Sequence, residues 1–145
     1  MGDDAADLKY IASTQSDANG NYKFSRWIGQ GYRFATQAND VNSATVMVWV
    51  QQSPVFAASS PSRGKLALTV TGNPRAAGQT VIVQRWVGGK WVNAWRGTTG
   101  STNQWKATIN VAAGSAHTLR AFIAGHTPDG LLPGYSVSRN VTIRR

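Results

Sequence analysis

"KLALTVTGNPRAAGQTVIVQRWVGGKWVNAWRG", residues 65–97, carries the pattern that decides the fold. Leu66, Leu68 and Val70 alternate with Lys65, Ala67, Thr69 and Thr71. A period of two sends the two sets to opposite faces of a strand. A Gly-containing turn, "NPRAAGQ" (73–79), leads into "TVIVQRWV" (80–87), and "GGKW" (88–91) reads as a hairpin turn into "WVNAWRG" (91–97). "NQWKATINV" (103–111), "HTLRAFIAG" (117–125) and "YSVSRNVTIRR" (135–145) repeat the signal. The pattern gives six strands, or seven if residues 54–58 pair. Short alternating strands at this spacing, divided by Gly-rich turns, predict an antiparallel β-sandwich. No apolar stripe of 3.6-residue period is long enough to predict a helix.

Composition agrees with strands. The chain has 145 residues, six Trp and no Glu or Cys. Without cysteine there is no disulfide and no thiolate metal site. The start, "MGDDAADLKY", is acidic and is not a signal peptide. No apolar run approaches the roughly 20 residues that span a bilayer. Charge is uneven. Residues 1–52 hold four bases and five acids, whereas residues 53–145 hold eleven bases and one acid, Asp129. The second part is expected to be drawn to anionic surfaces.

Between the two parts, "QQSPVFAASSPSRG" (51–64) suggests a linker or a short edge strand. Before it, "LKYIAST" (8–14), "NYKFS" (21–25), "GYRFATQA" (31–38) and "ATVMVWV" (44–50) are candidate strands. They echo the end of the chain. "NYKF" (21–24) falls on "QWKA" (104–107), "YRFA" (32–35) near "LRAF" (119–122), and "SATVMVWV" (43–50) on "SRNVTIRR" (138–145). Residues 1–52 therefore read as an incomplete β unit related to the back half of a domain at 53–145. Such a unit exposes a wide apolar face and open edges. Strands from a second chain, or from the other part of this one, are expected to complete it.

The run "GKLALTVTGNPRAAGQTVIVQRWVGGKWVNAWRGTT" (64–99), with "W-x-A-x-I" (105–109), "HTLRA" (117–121) and "SVSRNVTI" (136–143), resembles the immunoglobulin-like, fibronectin type III-like modules of bacterial surface proteins and phage virion proteins. The resemblance covers residues 63–145 fully and 8–50 in part. It implies an immunoglobulin-like sandwich with no catalytic residues to carry over. Members of the family mostly adhere, space other domains or bind surface sugars.

Few residues point to chemistry. "SDANGNYKF" (16–24) alternates oxygen-bearing side chains as a calcium loop does. Counted from Asp17, however, the sixth residue is Tyr22 rather than Gly, and the twelfth is Ile28 rather than Glu. It reads instead as a turn. His117 and His126 have no acidic cluster around them, and no G-x-S-x-G nucleophile motif occurs. No catalytic, metal or cofactor site is expected. On "KWVNAWRG", unbroken alternation puts Trp91 and Trp95 on one face, with Trp86 on the neighbouring strand and Arg85, Lys90 and Arg96 nearby. Facing out, these residues would form a platform for sugar rings or bases; facing in, one Trp would be the core tryptophan of the sandwich. The candidate surface-binding set is Trp86, Lys90, Trp91, Trp95 and Arg96.

The expected role is a non-catalytic structural or adhesive module of a cell surface, appendage or virion, acting through strand edges and protein–protein contacts. Its partner is expected to be another copy or another chain joined by strand complementation. The alternative is a carbohydrate- or cell-wall-binding module using the aromatic platform and its bases. Charge-driven nucleic-acid binding is the weaker alternative, because no RNP aromatics or recognition helix is present.

Overall fold

The computed structural model describes residues 9–145, and the fold is all-β with antiparallel sheets. Two sheets face each other across the core. One has three strands, with β7 (Lys65–Thr71) between β6 (Val55–Ser59) and β10 (Gln104–Asn110). In the other, β11 (Ala116–Ile123) and β8 (Thr80–Val87) are central and β9 (Lys90–Thr98) is one edge. Its opposite edge is a broken strand, β13 (Gly134–Tyr135) and β14 (Arg139–Thr142), both pairing with β11. The alternation in the sequence becomes the core. Leu66, Leu68 and Val70 of β7 meet Val81 and Val83 of β8 and Leu119, Ala121 and Ile123 of β11, with Phe56 and Ile143 beside them. Burying each large apolar side chain contributes about 1.5–3 kcal/mol. The stretch expected to be a linker or edge strand supplies an edge strand, β6.

At the break between β13 and β14 a hydroxyl replaces a strand. Ser136 N–H donates to Ala121 O at 2.8 Å, and Ala121 N–H donates to Ser136 Oγ at 2.9 Å. The open side of the sandwich, between β9 and β10, is filled by half-buried Trp95 and Trp105 against the core. Trp105 lies over Gly97 so closely that a Cβ there would collide with the indole.

Residues 9–52 behave differently. Among the described residues, no strand occurs before Tyr32, so the strand expected at 21–25 does not form. Instead Asp17 Oδ1 accepts hydrogen bonds from the backbone N–H groups of Asn19 and Asn21, both at 2.9 Å, and Gly20 turns at a φ of 80°. These bonds, above all that from Asn21, hold the Asp17 carboxyl below its ordinary pKa. The loop is an Asx turn. After it runs an interrupted hairpin. β1 (Tyr32–Phe34) pairs with β4 (Val46–Val48), and β2 (Gln37–Ala38) with β3 (Val41–Asn42) across Asn39 and Asp40, both left-handed. The echo between the two parts is limited. "YRFA" and "LRAF" both fall on strands, yet Tyr32 faces Val48 whereas Leu119 faces Arg139, not the matching Ile143.

The hairpin joins the sandwich at one end. β5 (Val50–Gln51) runs parallel to β12 (Leu131–Leu132), which comes after a 3-10 turn at Thr127–Asp129. Gly31 N–H donates to Asp129 O at 2.8 Å, and Gly31 and Gly130 approach too closely for either to carry a Cβ. The buried Gln52 side chain donates to Arg75 O, and Arg75 Nη1 donates to Gln30 Oε1 at 2.9 Å.

Gly97→Ala is expected to lower stability by about 1–3 kcal/mol, because the added Cβ would push the indole of Trp105 off its packing against the core. Gly100→Ala, whose Cβ would meet only Gln104 O at 3.8 Å, is expected to stay within about 0.5 kcal/mol of the wild type. Urea unfolding midpoints of the two variants check the contrast.

Candidate functional site

The β8–β9 hairpin carries all five candidate residues. Its turn, Gly88–Gly89, has positive φ at both positions (56° and 82°), as a two-residue hairpin loop needs. From the turn inward, Val87 pairs with Lys90, Trp86 with Trp91, Arg85 with Val92 and Gln84 with Asn93. The next pair is Val83 with Trp95, so Ala94 has no partner. This extra residue is a β-bulge, and it shifts the phase of the strand by one.

The bulge separates the two tryptophans that unbroken alternation places together. Trp95 shares a face with buried Val83 and packs on the core. Trp91 shares the outer face with Trp86, 5.2 Å away between ring centroids and edge-on at 67°. Arg96, opposite Ile82, is also outside, and Lys90 is exposed at the hairpin tip. The two orientations left open by the sequence are therefore both taken, Trp95 facing in and Trp91 facing out.

Two residues that sequence reasoning missed complete the outer face. Arg120 of β11 lies between two rings, with its guanidinium carbon 4.5 Å from the Trp91 centroid and 4.1 Å from that of Tyr135 on β13. Each such contact contributes roughly 0.5–2 kcal/mol. A relay fixes the position of the guanidinium: Arg120 Nε donates to Gln84 Oε1 at 2.8 Å, and Gln84 Nε2 donates to Asn93 Oδ1 at 2.9 Å. Beyond Tyr135, Phe122 closes the row at 5.1 Å. The row thus runs Trp86, Trp91, Arg120, Tyr135, Phe122 across four strands. Trp86 and Tyr135 keep about half of their surface in water (47% and 50%). Only pairing across the sheet reveals Arg120 and Tyr135, since β11 and β13 lie far from β9 in the chain.

Beside the bulge is a shallow depression of about 150 Å³, lined by Ile82, Asn93, Ala94, Trp95 and Arg96. It is below the roughly 300 Å³ of an ordinary small-molecule pocket.

The histidines lie at opposite ends of β11. His117 Nε2 is 2.9 Å from Ser115 Oγ, and His126 Nδ1 is 2.9 Å from Asp129 Oδ2. Ser–His and His–Asp pairs are therefore both present but do not converge. Among the described residues no group of three or more His, Cys, Asp or Glu side chains comes together, and no helix is long and apolar enough to cross a membrane. His117 shares the inner side of β11 with Leu119. Burial, and then the charge of Arg85, hold its pKa below the ordinary value.

Arg120→Ala is expected to destabilise the sandwich by about 1–3 kcal/mol and to move tryptophan emission to the red. Arg120→Lys, which keeps the charge but loses the planar stack, is expected to fall between Arg120→Ala and the wild type; urea unfolding followed by fluorescence ranks the three. The lowered pKa of His117 sets a second expectation. The unfolded imidazole takes a proton near pH 6.5 and the folded one only below that, so the stability it contributes is whole above about pH 6.5 and is lost as pH falls below it. Unfolding midpoints at about pH 7.5 and pH 5.5 are expected to differ less in His117→Gln than in the wild type. No known protein-family model matches the chain, and no curated protein matches it.

Proposed function

We propose that this chain is a non-catalytic assembly module, an immunoglobulin-like sandwich that presents an apolar hairpin to a second copy of itself. What supports the immunoglobulin-like reading is the strand arrangement, with three strands (β6, β7, β10) packed against β9, β8, β11 and the broken edge β13/β14. The observation that carries the assembly role is the surface of residues 9–52. Trp27 is 82% exposed, Val41 70% and Val46 61%, and Tyr10, Tyr22, Phe24, Tyr32 and Trp49 are exposed as well. A two-stranded hairpin is marginal in water without a covered face. An apolar surface of this extent marks an interaction site. The joint to the sandwich, β5 on β12, covers only the base of the hairpin. Among the described residues β1 and β4 form a sheet of two strands, to which a partner can add a strand. The setting that fits such a module is a cell surface, an appendage or a virion.

The outer-face row favours a second reading, a carbohydrate-binding module. Trp86 and Tyr135 offer exposed rings next to the polar groups of Asn93 and Arg96, the mixture of apolar faces and hydrogen-bonding groups that sugars require. The rings flanking Arg120 are already occupied by it, which makes the row first a brace for the sheet. The hairpin surface is the better candidate for the main contact.

Light scattering over a range of concentrations tests the assembly role. A defined oligomer is expected at micromolar concentration, and Trp27→Ser combined with Val46→Ser is expected to weaken it at least about tenfold. A wild type that stays monomeric throughout would overturn self-assembly. Retention on a glycan that is lost in Trp86→Ala and kept in the hairpin variant would favour the second reading.

A further inference from the structure

The end of the sandwich opposite the hairpin carries a different surface. Three chain segments meet there: the β6–β7 loop (60–64), the β10–β11 loop (111–115) and the residues after β14. Gly64 N–H donates to Arg144 O at 3.2 Å, Val111 N–H to Gly64 O at 3.0 Å, and Gly114 N–H to Ile143 O at 3.0 Å. Arg144 is anchored further. Its N–H donates to Ser60 Oγ at 3.0 Å and its Nη1 to Pro61 O at 3.3 Å. Arg145 packs beside Gly114, where an added Cβ would stand 3.1 Å from its Nε. Arg63 lies next to Gly64 in the same loop, and Lys65 reaches Asn110 Oδ1. Four exposed cations, Arg63, Lys65, Arg144 and Arg145, are thus brought to one end by a backbone network.

No carboxylate side chain lies in these segments; Asp129, the one acid of residues 53–145, is at the far end of the sandwich beside His126. Like charges held together in segments that contain no acidic side chain repel each other and weaken the folded state, so their arrangement favours an anionic ligand that relieves the repulsion. Three of the four are arginines, whose planar forks match carboxylate, sulfate and phosphate oxygens in pairs.

From this end we infer a binding site for an acidic polysaccharide. Beside the cations stand the exposed Ser62 hydroxyl and Asn110 amide, groups that hydrogen-bond to sugar hydroxyls. Segments 60–65, 110–115 and 143–145 contain no aromatic residue. Stacking platforms are what binders of single-stranded nucleic acid use, and this end has none. Polysaccharide binding here is separate from self-assembly through the hairpin, and the two surfaces lie at opposite ends of the sandwich.

The test uses the whole chain and immobilised heparin as the acidic polysaccharide, at about 0.15 M salt. Two variants each remove three positive charges: Arg63→Gln/Arg144→Gln/Arg145→Gln at the site, and Lys9→Gln/Lys23→Gln/Arg26→Gln on the hairpin segment as a control. Wild type is expected to bind, and the site variant to weaken binding at least about tenfold and to flatten its salt dependence, with the control within about twofold. Matched thermal unfolding establishes that both variants are folded. Should the site variant not fold, Lys65→Gln with Arg63→Gln, which leaves the Arg144 bonds in place, is expected to weaken binding measurably. Equal loss in both triple variants would show attraction by net charge alone and overturn the site. So would absence of binding, or tighter binding to single-stranded DNA than to heparin under the same conditions.

Discussion

The arrangement of this molecule's tryptophans depends on one unpaired residue. Ala94 adds a single position to β9, and everything between it and the Gly88–Gly89 turn is set one step out of phase with the remainder of the strand. Trp95 can therefore fill the open side of the core while Trp91, four residues earlier, joins the outer face. An unbroken strand would send both indoles to the same side. With both inside, Trp91 would crowd a second indole onto the inner face beside Arg85 and turn Val92 out to solvent; with both outside, the gap that Trp95 fills beside Val83 would be a cavity. The outer row depends on the same step, because Arg120 stacks on Trp91 only when that ring stands outside. The bulge also spoils the edge of β9 as a template for another strand.

The architecture of residues 53–145 was legible in the sequence for a simple reason. Its strands bury one face each, so Leu66, Leu68 and Val70 must alternate with polar neighbours, and the turns between strands need glycine. The bulge was not legible, since "WVNAWRG" alternates plausibly with or without a skipped residue. The same ambiguity left the orientation of the Trp pair open. Arg120 and Tyr135 were invisible for a different reason: their meeting depends on the order of strands in the sheet, which local pattern does not contain. Residues 9–31 misled because Tyr22 and Phe24 alternate as strand residues do. They lack a partner edge, and the Tyr22 hydroxyl instead donates to Thr36 Oγ1 at 2.9 Å.

Where the two parts of the chain meet, backbone contacts join the side-chain bonds of Gln52 and Arg75. Gly31 and Gly130 touch, Val50 N–H reaches Gly130 O at 3.0 Å and Gln52 N–H reaches Leu132 O at 3.0 Å. Such a joint fixes direction and leaves aromatic side chains of residues 9–52 uncovered. The hairpin gains position from the sandwich but little burial, which is why its aromatic side chains remain in water.

That division bears on how an assembly of these chains would form. Sandwiches can associate through strand edges, yet three of the edges here are poor templates. β9 is bulged, β13 and β14 are broken at Ser136, and β10 places Lys106 on its exposed side. Irregularity, breaks and lysine are the devices that keep edges from pairing. β1 and β4 pair without a bulge, and residues 9–52 include the strongly exposed Trp27, Tyr10 and Val41. If the sandwich were the contact surface, the devices would be expected on the hairpin and the apolar surface on the sandwich. The observed distribution is the reverse. The sandwich thus stands between an apolar end and a basic one, the separation that the proposed assembly and the proposed polysaccharide site both require.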